Sequence, residues 1–122
     1  MLSFTLDMSR EPLDAWGAPE DIGASTLEGP IEVSGKLLFG SFESPVSGGL
    51  YAATKGKYRV IYPFHEHATL LDGELALTDE STGQTTVYGP GDSWIIAKGT
   101  SMLWDIRSAA IRKSYLAATV DL

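Results

Sequence analysis

Glu66-His67-Ala68-Thr69-Leu70-Leu71-Asp72-Gly73 and Gly91-Asp92-Ser93-Trp94-Ile95-Ile96-Ala97-Lys98-Gly99 carry most of what this chain says about its architecture. The first stretch reads as a strand ending in a tight turn at Asp72-Gly73, with six residues between Glu66 and Gly73. A glycine at such a hairpin takes positive φ at no steric cost to a Cβ. The second reads as a Gly-Asp turn feeding an apolar strand that stops at another glycine. Asp92 suits that turn because its side chain can bond the backbone two residues on. Alternation along the first strand sends Glu66, Ala68 and Leu70 to one face and His65 and His67 to the other. If Glu66 points inward, Ala68 and Leu70 do so as well.

Outward from these stretches the same rhythm continues. From Gly35 on, short apolar runs at 36–42, 49–54, 57–62, 66–71, 74–79, 85–88, 93–97, 101–107 and 110–118 read as strands. They are split by turn residues such as Ser47-Gly48-Gly49, Lys55-Gly56, Thr82-Gly83 and Gly89-Pro90-Gly91-Asp92. Regular punctuation of this kind marks an all-β sandwich or barrel. No window sustains a helical apolar stripe, and residues 14–17 are expected to make one helical turn at most. Residues 1–35 differ: Pro12, Pro19 and Pro30 mix with glycines and acids, without a period. They are expected to form an N-terminal arm with short strands at 1–8 and 25–31, or else a partly ordered tail. Residues 36–122 then form the barrel.

Composition narrows the function classes. A chain of 122 residues suits one domain with a single core. With no cysteine there is neither a disulfide nor a thiolate metal site. Sixteen acidic against nine basic side chains give a formal charge of −7, which repels polyphosphate, so nucleic acid is not an expected partner. No apolar run approaches the roughly 20 residues of a membrane helix, so no membrane partner is expected either. The N-terminus lacks the basic flank and apolar core of a signal peptide, and a cytoplasmic location is the expectation. Phosphate loop, nucleophile elbow and dinucleotide fingerprint are all missing.

The ordered string Gly49-Leu50-Tyr51, Gly56-Lys57-Tyr58-Arg59-Val60, Glu66 to Gly73, Leu77-Thr78-Asp79, Gly91-Asp92-Ser93, Ala97-Lys98-Gly99, Trp104 and Arg112-Lys113-Ser114-Tyr115 covers a little over half of the chain. In order and spacing it resembles the small single-domain cupins that include ethanolamine-utilisation and ureidoglycine-processing members, many of unknown function. The resemblance implies a double-stranded β-helix (an RmlC-like jelly roll) holding a metal or small molecule in its mouth. Glu66 falls where the family motif places its carboxylate ligand. The accompanying histidine slots fall on Val60 and Tyr62 (or Arg59 and Ile61) and on Met102, and none of these binds a divalent metal. Ala97 replaces the proline usual before the second glycine.

His65 and His67 form the competing site. A His-x-His pair on a strand puts two imidazoles on one face, a spacing that suits one divalent transition metal. The expectation is no metal cofactor, with His65 and His67 as the alternative ligands. Glu66 and Tyr62 are the candidate catalytic residues; Tyr58, Glu66, Met102, Trp104, Arg112 and Tyr115 are the candidate ligand-binding ones. Trp94 and Trp104 also read simply as core or rim packing, and Arg112 and Lys113 as ordinary strand charges. A carboxylate in a barrel needs a partner: a tyrosine hydroxyl, Arg112, or a bound proton. Two functions follow. One is a metal-poor cupin that binds a small polar molecule through Glu66, with a cationic or hydrogen-bond-donating ligand expected. The other is an enzyme acting on a small nitrogenous or carboxylate metabolite, with Glu66 as acid or base. A homodimer is expected, because Phe4, Leu6, Leu13 and Trp16 are hard to bury on one small barrel.

Overall fold

The computed structural model describes residues 1–120. Nine antiparallel strands account for most of them: β1 (Asp14–Gly17), β2 (Ser25–Glu28), β3 (Val33–Phe39), β4 (Val46–Ile61), β5 (His65–Asp72), β6 (Leu75–Asp79), β7 (Gln84–Tyr88), β8 (Ser93–Ile96) and β9 (Ser101–Ala118). Short 3-10 turns at Leu6–Arg10 and Pro19–Ile22 are the only helical elements among the described residues.

Two long strands organise the molecule. β4 and β9 pair along almost their whole length, from Val46↔Ala118 to Ile61↔Ser101. The N-terminal half of β4 pairs with β3, and the C-terminal half of β9 with β5, which pairs with β8. The other halves take β2 on β4, and β6 followed by β7 on β9. One pair of strands thus serves two sheet halves that face each other, which is a jelly roll. Between the halves lies a core built on Leu70, Leu75, Leu77, Tyr58, Trp104, Ile106 and Ile111.

The turn expected at Lys55-Gly56 is instead the bend inside β4. Register slips between Thr54 and Gly56, while three residues of β9 (107–109) lie between the matching partners Ile106 and Ala110. Gly56 sits at φ +154°, and a Cβ there would meet the Glu28 carbonyl and the Ile31 side chain. The extra residues lie on β9, and Gly56 lets β4 bend opposite them without ending, so the runs at 49–54 and 57–62 are one strand. The runs at 101–107 and 110–118 likewise join as β9.

The arm departs further from expectation. Residues 6–10 form a 3-10 turn rather than part of a strand at 1–8. Its C-terminal carbonyls, Met8 O and Glu11 O, accept Arg112 Nη1 at 2.9 and 2.6 Å, a partner 101 or more residues away. Asp14–Gly17, expected to make one helical turn at most, is extended because it pairs with Val33–Gly35. Of the strand expected at 25–31, Ser25–Glu28 forms and pairs with β4. The arm is therefore sewn into the sheet, and β3 starts at Val33, three residues before the expected boundary.

Candidate functional site

Strand parity turns Glu66 inward from β5, between Ala117 of β9 and Ile96 of β8. It keeps 2% of its surface exposed. Three side chains donate to it: Tyr62 Oη and Trp94 Nε1 to Oε1, each at 3.0 Å, and Lys113 Nζ to Oε2 at 2.7 Å. An unpartnered carboxylate in such a place would cost several kcal/mol. Here the protein supplies a counter-charge and two neutral donors.

Lys113 reaches the same spot from β9, on the face shared by Ile111, Tyr115 and Ala117. Its ammonium lies 4.6 Å from the ring centre of Trp104, 4.7 Å from that of Tyr51 and 5.7 Å from that of Tyr115. Ring faces carry negative potential, and out of water each such contact contributes up to about 2 kcal/mol. Trp104 in turn stacks on Tyr58 at 5.2 Å, whose hydroxyl bonds that of Tyr51 at 2.8 Å. Burial moves the ionisable groups away from charge. It lowers the Lys113 pKa, with Glu66 pulling the other way. It raises the phenols of Tyr58 and Tyr62 well above their usual range, the Glu66 charge adding to the effect at Tyr62, and pushes Tyr115 up to about 12.

Above this pair opens a cavity of about 490 Å³, lined by aromatic side chains down to Glu66 and Lys113. Phe42, which is 75% exposed, and Trp16 meet edge to face at 5.6 Å on its rim. Trp104 Nε1 is buried without a hydrogen-bond partner among the described residues.

Of the residues singled out from sequence, Glu66, Tyr62, Tyr58, Trp104 and Tyr115 come together around this cavity. Met102 does not: it is buried in the core, opposite Val60 of β4 and Asp79 of β6. Arg112 does not either. It lies on the opposite face of β9 from Lys113, and its guanidinium holds the N-terminal turn. Lys113, which reads first as an ordinary strand charge, and Trp94, which reads as packing, bond Glu66 instead, and Tyr51 had no expected role at the site. Parity offered the signal: Ile111, Lys113, Tyr115 and Ala117 alternate together, so an inward Ile111 implies an inward Lys113.

The histidines face away from the cavity. His65 Nδ1 accepts the Lys98 backbone N–H at 3.0 Å, and His67 lies exposed in an outer groove. No group of three or more His, Asp or Glu side chains arranged to hold a metal occurs among the described residues. The donor set beside Glu66 does not fit a divalent cation: three protein donors already use its oxygens, and one of them is an ammonium at 2.7 Å.

Residues 40–115 match the EutQ-like cupin domain family. No curated protein matches the chain significantly. Among solved structures, an ethanolamine utilization protein Q from Salmonella typhimurium LT2 is similar at 20% identity and a TM-score of 0.61, over 76% of this chain and 72% of that one. The EutQ protein of Clostridium difficile is similar at 22% identity and 0.62, over 75% and 71%. A protein of unknown function from Pseudomonas syringae pv. tomato, of the DUF861 family, reaches 0.72 at 21% identity, over 89% of this chain but 45% of that one. At these identities the likeness bears on fold alone.

Proposed function

The chain belongs to the EutQ-like cupin domain family, and from that premise we propose that it is a metal-poor cupin whose barrel binds a small, polar but uncharged molecule. The observation that carries this reading is the buried Glu66–Lys113 pair at the base of an aromatic cavity. Each charge cancels the other. A cationic ligand would have to displace Lys113 from Glu66, and an anionic one would have to displace Glu66 from Lys113. A neutral molecule with a hydrogen-bond acceptor disturbs neither, because Lys113 spends one of its three N–H groups on Glu66. The preference therefore moves from the cationic or donating ligand expected from Glu66 alone to an accepting one. The flat, apolar walls suit a planar body, as in most small-molecule sites.

The same geometry ties Glu66 to Lys113, so the proton within its reach is that of the ammonium, and it supports a barrel without a transition metal. Assembly as a homodimer belongs to the same proposal: Leu2, Phe4 and Leu6 of the arm share an outer groove with Phe39, Leu71 and Leu116, and the nearby Ile95 is 79% exposed. No helix among the described residues is long and apolar enough to cross a membrane.

Three probes of one shape test the ligand class. Quenching of the fluorescence of Trp16 and Trp104, which line the cavity, should report benzamide binding more tightly than benzoate or benzylammonium. Tighter binding of either ion would overturn the reading.

A further inference from the structure

We propose that Lys113 is a covalent carbonyl-capturing residue: its amine forms an imine with an aldehyde or ketone held in the aromatic cavity. The inference rests on the proposed binding site and adds a reaction to it. Lys113 is the one lysine whose side chain lines this cavity, and its Nζ donates to a carboxylate. The others, Lys36, Lys55, Lys57 and Lys98, lie on the outside or at half-exposed positions.

An amine attacks a carbonyl only when it is unprotonated, and a lysine becomes so when it is desolvated beside a group that takes its proton. Glu66 Oε2, at 2.7 Å, is placed to do this. The step balances without any outside reagent. Lys113 passes a proton to Glu66, and the free Nζ lone pair forms a bond to the carbonyl carbon while the C=O π pair moves onto oxygen. Glu66 returns its proton to that oxygen, giving a carbinolamine. A second proton, from the carbinolamine nitrogen by way of Glu66, lets the hydroxyl leave as water. Nitrogen then keeps its last proton, holds a double bond to carbon and so carries a positive charge. Overall one ammonium and one carbonyl compound become one iminium ion and one water. The product cation stays where the ammonium was, against Glu66 and the rings of Trp104 and Tyr51, so the site that stabilises Lys113 also stabilises the iminium.

The test treats the full-length protein separately with benzaldehyde and with butanal, in the presence of cyanoborohydride, followed by intact-mass and peptide mass spectrometry. The expected result is one reduced adduct per chain, at Lys113, formed about tenfold or more faster than at any other lysine. Glu66→Gln should slow the capture at Lys113, and Lys113→Arg should abolish the fast phase. The site map of the unmodified sequence needs neither variant, so a folding defect in them does not obscure the answer. Adducts spread evenly over the exposed lysines would overturn the proposal. Benzamide binding without capture of either aldehyde would also overturn it, while leaving the binding reading intact. Absence of both binding and capture would remove the two together.

Discussion

Lys113 Nζ lies 2.7 Å from Glu66 Oε2, and their side chains retain 6% and 2% exposure. β9 and β5 bring the two together although 47 residues separate them in sequence. Removing one member leaves the other charged and buried, which typically costs about 3–5 kcal/mol, whereas removing both is far milder. Glu66→Gln and Lys113→Met are each expected to lower stability by roughly that amount, with the double variant costing clearly less than the sum. Urea denaturation of all four proteins checks this. Additive losses would show that the pair is not coupled. If Lys113→Met remains folded, its benzamide affinity should fall about ten- to a hundredfold, the loss of one charged hydrogen bond.

The alkaline limb of stability follows from the phenols. Burial holds the protons of Tyr58 and Tyr62 well above the usual range, and Tyr115 is pushed up to about 12. Their stabilisation is complete below the unfolded tyrosine pKa, and it is lost as pH rises above about 10, where the unfolded chain ionises first. Lys113 acts in the opposite sense, because its lowered pKa makes the folded chain shed that proton before the unfolded one does. Several phenols outweigh one amine, so stability should decline from about pH 10 upward. Phenolate absorbance of these residues should rise only as circular dichroism is lost. Ionisation of every tyrosine in a single step with the fold intact would contradict this.

Metal content should be far below one equivalent of iron, nickel, manganese or zinc in protein purified without an affinity tag. Any trace present should be insensitive to His65→Ala and His67→Ala, whose rings do not converge on the cavity. Elemental analysis decides it, and a stoichiometric metal lost in both variants would reverse the argument.

Gly56 and Gly83 both have positive φ, but only Gly56 has neighbours where a Cβ would go. Gly83→Ala should cost about 1–2 kcal/mol from the backbone alone. Gly56→Ala adds a collision with Glu28 and Ile31 at the bend of β4, for a total of roughly 2–5 kcal/mol. Thermal melts should rank them in that order; equal losses would mean that the bend relaxes.

Deleting residues 1–12 should weaken self-association, because it removes Leu2, Phe4 and Leu6 from the outer groove and the carbonyls that hold Arg112. Light scattering at micromolar concentration should give a dimer for the full chain and a smaller mass after deletion. A monomer in both cases would end the dimer proposal.

Much of the barrel was legible because strand and turn signals are local. Alternation along 66–71 puts Glu66, Ala68 and Leu70 on one face and His65 and His67 on the other, and a Gly-Asp or Asp-Gly pair makes its turn from its own backbone. The inward carboxylate and the outward histidines follow from that parity. What stayed hidden depends on partners distant in sequence. Gly56 resembles a turn glycine until β9 is seen to run past it, and Asp14–Gly17 is extended only because Val33–Gly35 lies alongside. The turn at residues 6–10 is held at its end by Arg112, which donates to the Met8 and Glu11 carbonyls. The cation at the site was open to the same parity argument, yet choosing Lys113 over Arg112 needed to know which face of β9 looks at Glu66, and the bulge between Leu70 and Asp72 lets that register shift. Local chemistry determined the strands, the turns and the inward acid. Tertiary structure decided which charge meets that acid, because a one-residue change of register turns every side chain of a strand to its other face.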